Sequence, residues 1–307
     1  MSRLSTRSVW TFVRRLALLG VGVAMLLGLG NRPVPKAQAT PQLDVLVVVD
    51  RTASMSALDD PTGSRITAVR QDLIELGDNL DAAQFSLITF GTSATVQLPF
   101  TSDRVAFDDE VSTLQVEKAD RGAGSSIGIA APLMASELDR AKAAHPDHIP
   151  VVVFLSDGES TSAETQVSFA PVGQRVRSGV VLGYGRETGG VMPLERVPVD
   201  QQVPTRQQVA AFITDDKTGA PARSRLDDAN LGTVAFQLGG TYVRGDGTQD
   251  MGAVAAELEA VALATLAPTE RERELRWCWA LALLLLLLPE LRQGWRMYWQ
   301  ARRAGRA

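Results

Sequence analysis

The stretch from residue 43 to residue 55, LDVLVVVDRTASM, changes character at Asp50. Up to Val49 it is a short, almost continuous β-branched run, the pattern of a strand buried on both faces. From Asp50 onward it is polar and loop-like. A second run of the same kind, residues 149–155 (IPVVVFL), ends in Ser156-Asp157-Gly158. Between and around these two strands the period switches repeatedly. Ile66, Val69, Leu73, Leu76 and Leu80 recur at helical spacing over 65–80. Residues 85–90 then read as a strand, and the alternation over 94–100 reads as a more exposed edge strand. Thr101-Ser102-Asp103 is suited to cap a helix over 104–114. Further helices are expected over 126–144, 227–237 and 250–266, and further strands over 176–184 and 241–244. Strands alternating with helices predict an α/β fold, a doubly wound, mostly parallel sheet flanked by helices. Residues 209–225, around Asp215-Asp216-Lys217-Thr218-Gly219, read as a hairpin inserted between the fifth strand and its following helix.

The net charge of −4 conceals three regions of different sign. Residues 1–40 hold six Lys/Arg and no Asp/Glu, residues 276–307 hold six Arg against Glu290, and the body between them carries −15. So acidic a body repels phosphate backbones, which excludes nucleic acid as its expected partner. The single cysteine, Cys278, excludes intrachain disulfides and a cysteine-based zinc site. The two histidines, His145 and His148, are read as surface residues of the loop before residue 149.

Both ends point to a membrane. Residues 16–30 (LALLGVGVAMLLGLG) follow Arg3, Arg7, Arg14 and Arg15, the layout of a signal anchor or an export signal. Ala37-Gln38-Ala39 offers a cleavage site for the second alternative. Residues 277–289 (WCWALALLLLLLP) lie between Trp277 and Trp279 on one side and Trp295, Tyr298 and Trp299 on the other, followed by Arg302, Arg303 and Arg306. The expected organisation is a signal segment and spacer over 1–40, one domain over 41–268, a transmembrane segment over 277–298 and a basic cytoplasmic tail over 299–307. The positive-inside rule then places the domain outside the cytoplasmic membrane.

In open α/β sheets, sites form beyond the carboxyl ends of the strands. Two buried strands here end in acidic loops. In Asp50-Arg51-Thr52-Ala53-Ser54 the alternate residues of an extended loop point one way, so a carboxylate and two hydroxyls converge. Asp157 adds a carboxylate from a neighbouring strand end, and Ser125 a hydroxyl from the Gly124-Ser125-Ser126 turn. Oxygen-only ligands favour a hard cation such as Mg²⁺, with Mn²⁺ or Ca²⁺ as alternatives.

These residues resemble the metal-ion-dependent adhesion site of von Willebrand factor A domains, whose pattern is D-x-S-x-S-M, a Thr in a Gly-Gly-Thr loop, and S/T-D-G after a later strand. Here Thr52 replaces the first Ser and Ser125 stands at the Thr position. The resemblance covers residues 42–266. It implies that Thr52, Ser54 and Ser125 ligate the ion directly, that Asp50 and Asp157 act largely through waters, and that an Asp or Glu of a partner protein completes the coordination. Gly183-Tyr184-Gly185, Arg223-Ser224-Arg225-Leu226-Asp227 and Gly239-Gly240-Thr241-Tyr242 followed by a Leu-rich segment are similar to membrane-anchored proteins of the bacterial aerotolerance (Bat) type. That similarity implies a cell-envelope complex with other membrane A-domain proteins and a MoxR-type AAA ATPase.

Two other classes stand beside this reading. A metal-free structural scaffold follows if the two departures from the motif abolish binding. A Mg²⁺-dependent phosphatase of the haloacid-dehalogenase type would use Asp50 as nucleophile, but it needs a later Lys, and the first one after Asp157 is Lys217, inside the hairpin. No G-x-S-x-G occurs for serine hydrolysis. The chain is therefore expected not to be an enzyme.

Overall fold

The structure is a computed structural model of the chain, and it describes residues 15–21, 42–61, 63–118, 126–162, 165–194, 211–215, 217–245, 249–266 and 276–304. The chain divides into two compact units, Thr40–Leu266 and a second formed by Met1–Ala39 with Ala267–Ala307.

Thr40–Leu266 is built on a six-stranded sheet. Its strands are β1 (Leu43–Asp50), β2 (Gln84–Phe90), β3 (Ala94–Thr101), β4 (Ile149–Ser156), β5 (Ser178–Tyr184) and β8 (Thr241–Gly245), in the order β3-β2-β1-β4-β5-β8. β1 lies between β2 and β4, parallel to both, which is why its apolar run has no polar face. β3 is antiparallel to β2 and forms an edge. Pro99 lies within it, as an edge strand tolerates, and the pairing with β2 shifts register twice.

The strand's period of two sorts its side chains onto two cores. Val45, Val47 and Val49 pack with Ile66, Val69, Leu73 and Leu76 of α1 (Arg65–Asp78), Phe107 of α2 (Arg104–Ser112) and Leu258 of α6 (Met251–Leu266). Leu46 and Val48 pack on the other face with Met134 and Leu138 of α3 (Ala131–Ala144) and Leu231 and Val234 of α5 (Asp228–Gln237). The result is the expected helix–sheet–helix sandwich. The chain leaves β1 towards β2 on one side and later returns to β4 on the other, so the strand order reverses between β1 and β4. The crevice beyond their carboxyl ends is the switch point where such sheets bind ligands.

Local chemistry sets most boundaries. Asp103 caps α2 by accepting the Ala106 N–H (3.1 Å). The helix expected over 126–144 divides into a 3₁₀ turn (Ile127–Ala130) and α3, with Pro132 in the first turn of α3, where a missing N–H costs no intrahelical bond. α4 (Ala170–Gly173) has no counterpart in the sequence reading, because four residues carry no legible period. The inserted hairpin is present. Its turn is closed by Asp215, which accepts the Lys217 and Thr218 N–H groups, and it returns to a two-stranded ribbon of β6 (Gly190–Val191) and β7 (Arg223–Ser224).

In the second unit, α7 spans Arg276–Ala304 and contains Pro289. Among the described residues, no helix is long and apolar enough to cross a membrane. The transmembrane segment expected over 277–298 is thus not shown by α7. The uncharged run ends at Pro289 and is followed by Glu290 and Arg292. Roughly 13 residues at about 1.5 Å each give about 20 Å, short of the ~30 Å hydrocarbon core. At the N-terminus only residues 15–21 are described, as helix, and the remainder of 1–40, including Ala37-Gln38-Ala39, lies outside the described residues.

Candidate metal centre

β1 delivers Asp50 to the switch point almost fully buried. The chain then turns sharply over its carboxylate. Thr52 donates both its backbone N–H (2.9 Å) and its hydroxyl (2.7 Å) to Asp50 Oδ1. Thr52 Oγ1 and Ser54 Oγ lie 2.7 Å apart, at the start of a 3₁₀ turn over Ala53–Ser56. Met55, fully buried, fixes that turn to the core. The expected convergence of one carboxylate and two hydroxyls is thus present, with the Thr52 hydroxyl in contact with both of the other oxygens.

The end of β4 supplies the second side. Ser156 donates its hydroxyl to Asp50 Oδ2 (2.6 Å) and accepts the Gly158 N–H (2.9 Å). Gly158 has φ +73°, and a Cβ there would meet the Asp227 carbonyl oxygen at 2.7 Å, so only glycine fits this turn. Asp157 is fully buried. Its Oδ1 accepts the Glu159 N–H (3.0 Å), while its Oδ2 accepts from Arg65 Nη1 (2.7 Å) and the Ser224 hydroxyl (3.1 Å).

Arg65 is the centre of a buried network that the sequence reading missed. It opens α1 with no exposed side-chain surface and forks onto Asp59, Nε to Oδ1 at 2.9 Å and Nη2 to Oδ2 at 2.6 Å. It also donates to the Ser224 hydroxyl (2.8 Å) and the Ser224 carbonyl (3.1 Å). The inserted ribbon, through Ser224, is in this way tied to the same carboxylate as the β4 loop. No periodicity announces such a residue. Ser156 alone had a signal, as the hydroxyl preceding Asp157-Gly158.

Of the predicted ligands, Asp50, Thr52 and Ser54 are brought together directly. Asp157 acts on Asp50 through its charge but is itself held by Arg65, Ser224 and the Glu159 N–H. Ser125 lies outside the described residues, and the neighbouring Ser126 precedes the 3₁₀ turn that leads into α3. Burial pushes the Asp50 carboxyl up to about 7, and the negative charge of Asp157 adds to the rise, against the opposing hydrogen bonds from Ser156 and Thr52. Burial likewise raises Glu159, opposed by Ser224 and Arg65. A cation bound beside Asp50 would offset both its burial and the charge of Asp157.

Residues 45–159 match the sequence profile of the von Willebrand factor type A domain. Over that segment the chain resembles a von Willebrand factor A domain. Its fold is similar to that of the conserved hypothetical protein BatB from Bacteroides thetaiotaomicron, at 20% identity and a TM-score of 0.55, covering 72% of this chain and 99% of that one. It is also similar to an aerotolerance-related membrane protein from Bacteroides fragilis, at 22% identity and a TM-score of 0.56, with the same coverage. No curated protein matches the chain. In these comparisons the A domain shares its architecture with Bat proteins.

At the opposite end of β1 the A domain departs from expectation. His145 and His148 are half-buried in the turn before β4: both reach the buried Asp44, and their rings stack at 4.6 Å. No pattern announces this, because Asp44 reads as one polar residue in an apolar strand, 104 residues before His148.

Proposed function

We propose that the A domain is a protein-recognition module in which Asp50, Thr52, Ser54, Ser125 and Asp157 hold a divalent ion, Mg²⁺ first, and an Asp or Glu of a partner protein completes its coordination. One observation carries this reading. Thr52 Oγ1 lies 2.7 Å from both Asp50 Oδ1 and Ser54 Oγ, close to the edge of about 2.9 Å that octahedral bonds of 2.0–2.1 Å require. When bound, the ion would supply an electrophilic position and offset the repulsion between Asp50 and Asp157. The chain's own residues do the rest. Met55 and Gly158 hold the two loops, and Arg65 fixes Asp157 so that its carboxylate cannot swing away.

The site serves recognition rather than turnover. The phosphatase reading would need a lysine that the chain order does not provide. The basic, apolar ends would attach the A domain to the cell membrane with the domain outside. Other membrane A-domain proteins and a MoxR-type ATPase system are the proposed associates. The test is capture of membrane proteins by the full chain with Mg²⁺ and with chelator, wild type against Asp50→Ala. Capture that needs both the ion and Asp50 supports the reading, and capture indifferent to both overturns it.

A metal-free scaffold has one observation in its favour: Arg65 already gives Asp157 a buried cationic partner at 2.7 Å. Thermal unfolding separates the two readings, since a scaffold gains no stability from Mg²⁺.

A further inference from the structure

The chain has two histidines, and the fold brings both to one buried carboxylate. Asp44 is the second residue of β1 and is 2% exposed, an unusual place for a charge in a strand bounded by Leu43 and Val45. His148 Nδ1 lies 2.8 Å from Asp44 Oδ1, and since an ionised carboxylate only accepts, the ring donates. His145 follows the last residue of α3, with its N–H bonded to the Ala141 carbonyl (2.7 Å). Its Nδ1 is buried, stands 3.9 Å from Asp44 Oδ2 and has no hydrogen-bond partner. A buried ring nitrogen without a partner costs free energy unless something else binds it. One ligand atom from each of Asp44, His145 and His148 lies within 4.8 Å of the others.

From these residues we infer a second cation site, at the amino-terminal end of β1, that takes a borderline divalent transition metal, Zn²⁺ foremost, through Asp44, His145 and His148. Two imidazoles and a carboxylate are the donor set of three-ligand zinc sites, which keep a further position for water. Mg²⁺, which prefers oxygen, is disfavoured here. Tetrahedral bonds of 2.0–2.1 Å need ligand atoms about 3.4 Å apart. The separations of 2.8 Å for His148 from Oδ1 and 3.9 Å for His145 from Oδ2 fall on either side of that value. Binding requires His148 to release the Nδ1 proton to solvent where that nitrogen becomes the ligand. The His145 side chain is 35% exposed, which leaves a path for the ion and its water. Three further features favour a cation here. The carboxyl end of α3 directs its last carbonyls towards this end of the sheet, the partial negative pole of the helix. The one basic residue in its last turn, Lys142, is committed to the Pro146 carbonyl. The 145–148 turn is held by the His148 N–H to the His145 carbonyl (3.2 Å) and runs directly into β4, which pairs with β1, so both rings are carried by the sheet.

This site is independent of the Mg²⁺ reading, and the experiment keeps the two apart. The probe is Co²⁺ alone, titrated into untagged full chain carrying Cys278→Ser, with saturating Mg²⁺ present, and read by its visible absorption and then by displacement with Zn²⁺. The expected result is one equivalent of Co²⁺ with the intense band of a four- or five-coordinate ion. His145→Ala and His148→Ala should each weaken binding by about 100-fold or more, since loss of even an outer-shell partner costs 10–100-fold. Asp50→Ala should leave it unchanged. Asp44→Asn gives the same test with the shape of the buried side chain preserved, should either histidine variant fold poorly. Absence of the band, or binding that survives either histidine substitution in a folded chain, overturns the site. Loss of Co²⁺ binding in Asp50→Ala, with the histidine variants intact, overturns it as well and assigns the ion to the other end of β1.

Discussion

β1 carries a buried aspartate near each end, and the two could hardly be more differently furnished. Asp44 and Asp50 are 2% and 1% exposed, share strand parity, and are separated by the apolar Val45–Val49 run. At about 3.3 Å per residue they are roughly 20 Å apart. Around Asp50 the chain gathers hydroxyls, from Thr52, Ser54 and Ser156, and a second carboxylate. Around Asp44 it gathers two imidazoles and no hydroxyl contact among the described hydrogen bonds. One strand therefore presents a hard, oxygen-lined site at the switch point and a nitrogen-rich one at its other end. The connections explain the difference. The carboxyl ends of parallel strands open into loops that can fold over a ligand, whereas the amino end of β4 receives a four-residue turn from α3, so two histidines three residues apart are delivered together.

The comparison breaks most severely at Arg65, the fully buried cation at the Asp50 end. Removing it would leave Asp157 and Asp59 without their buried partner, a change that typically costs about 3–5 kcal/mol. Denaturant unfolding of Arg65→Ala should show a loss of that size, with Arg65→Lys intermediate because an ammonium cannot fork onto Asp59 while also reaching Asp157 and Ser224. The Co²⁺ response at Asp44 should survive in any fraction that folds. A loss below about 1 kcal/mol would mean that the network is not formed in solution.

The second prediction uses the ions themselves. Mg²⁺ at about 100 times its dissociation constant should stabilise the full chain by about 2.7 kcal/mol, and Asp50→Asn should abolish that gain. The two histidine substitutions should leave it intact. Thermal melts at graded Mg²⁺, with chelator as the zero point, read the effect directly. A Mg²⁺ gain that persists in Asp50→Asn would place the ion elsewhere.

How much of this was legible beforehand divides along the same line. The runs at residues 43–49 and 149–155 announced two central strands because parallel neighbours on both sides leave no polar face, and the spacing of Ile66, Val69, Leu73 and Leu76 announced α1. Asp50, Thr52 and Ser54 were legible because all three sit within one loop and alternate. Arg65 was not, since an arginine at the start of an amphipathic helix is ordinarily solvated, and only the fold brings Asp157, 92 residues away, against it. Asp44 with His148, 104 residues apart, escaped for the same reason. The membrane segment expected at 277–298 is not shown by α7, in which Glu290 and Arg292 follow the uncharged run.

The smallest expected effect concerns pH, and it distinguishes an environment arranged for a cation from one that is simply buried. Without metal, the Asp50 carboxyl is raised from 3.8 to about 7, first by burial and then by Asp157. The native state therefore binds a proton more tightly than the unfolded chain. The associated stability is present in full below about pH 4 and is lost as pH rises through about 7. Between pH 6 and 8 the loss from this one group should be on the order of 1 kcal/mol, the worth of about one pKa unit. Unfolding free energies in chelator should fall over that interval for wild type, and the fall should be smaller in Asp50→Asn, which has no proton to release. Saturating Mg²⁺ should flatten the wild-type curve, because a cation favours the ionised carboxylate that burial disfavours. If the slope in chelator were the same in both proteins, the repulsion between Asp50 and Asp157 would be compensated without any ion. Arg65 would then be sufficient, and the Asp50 end of β1 would be a structural junction, leaving Asp44 with its two histidines as the strand's metal site.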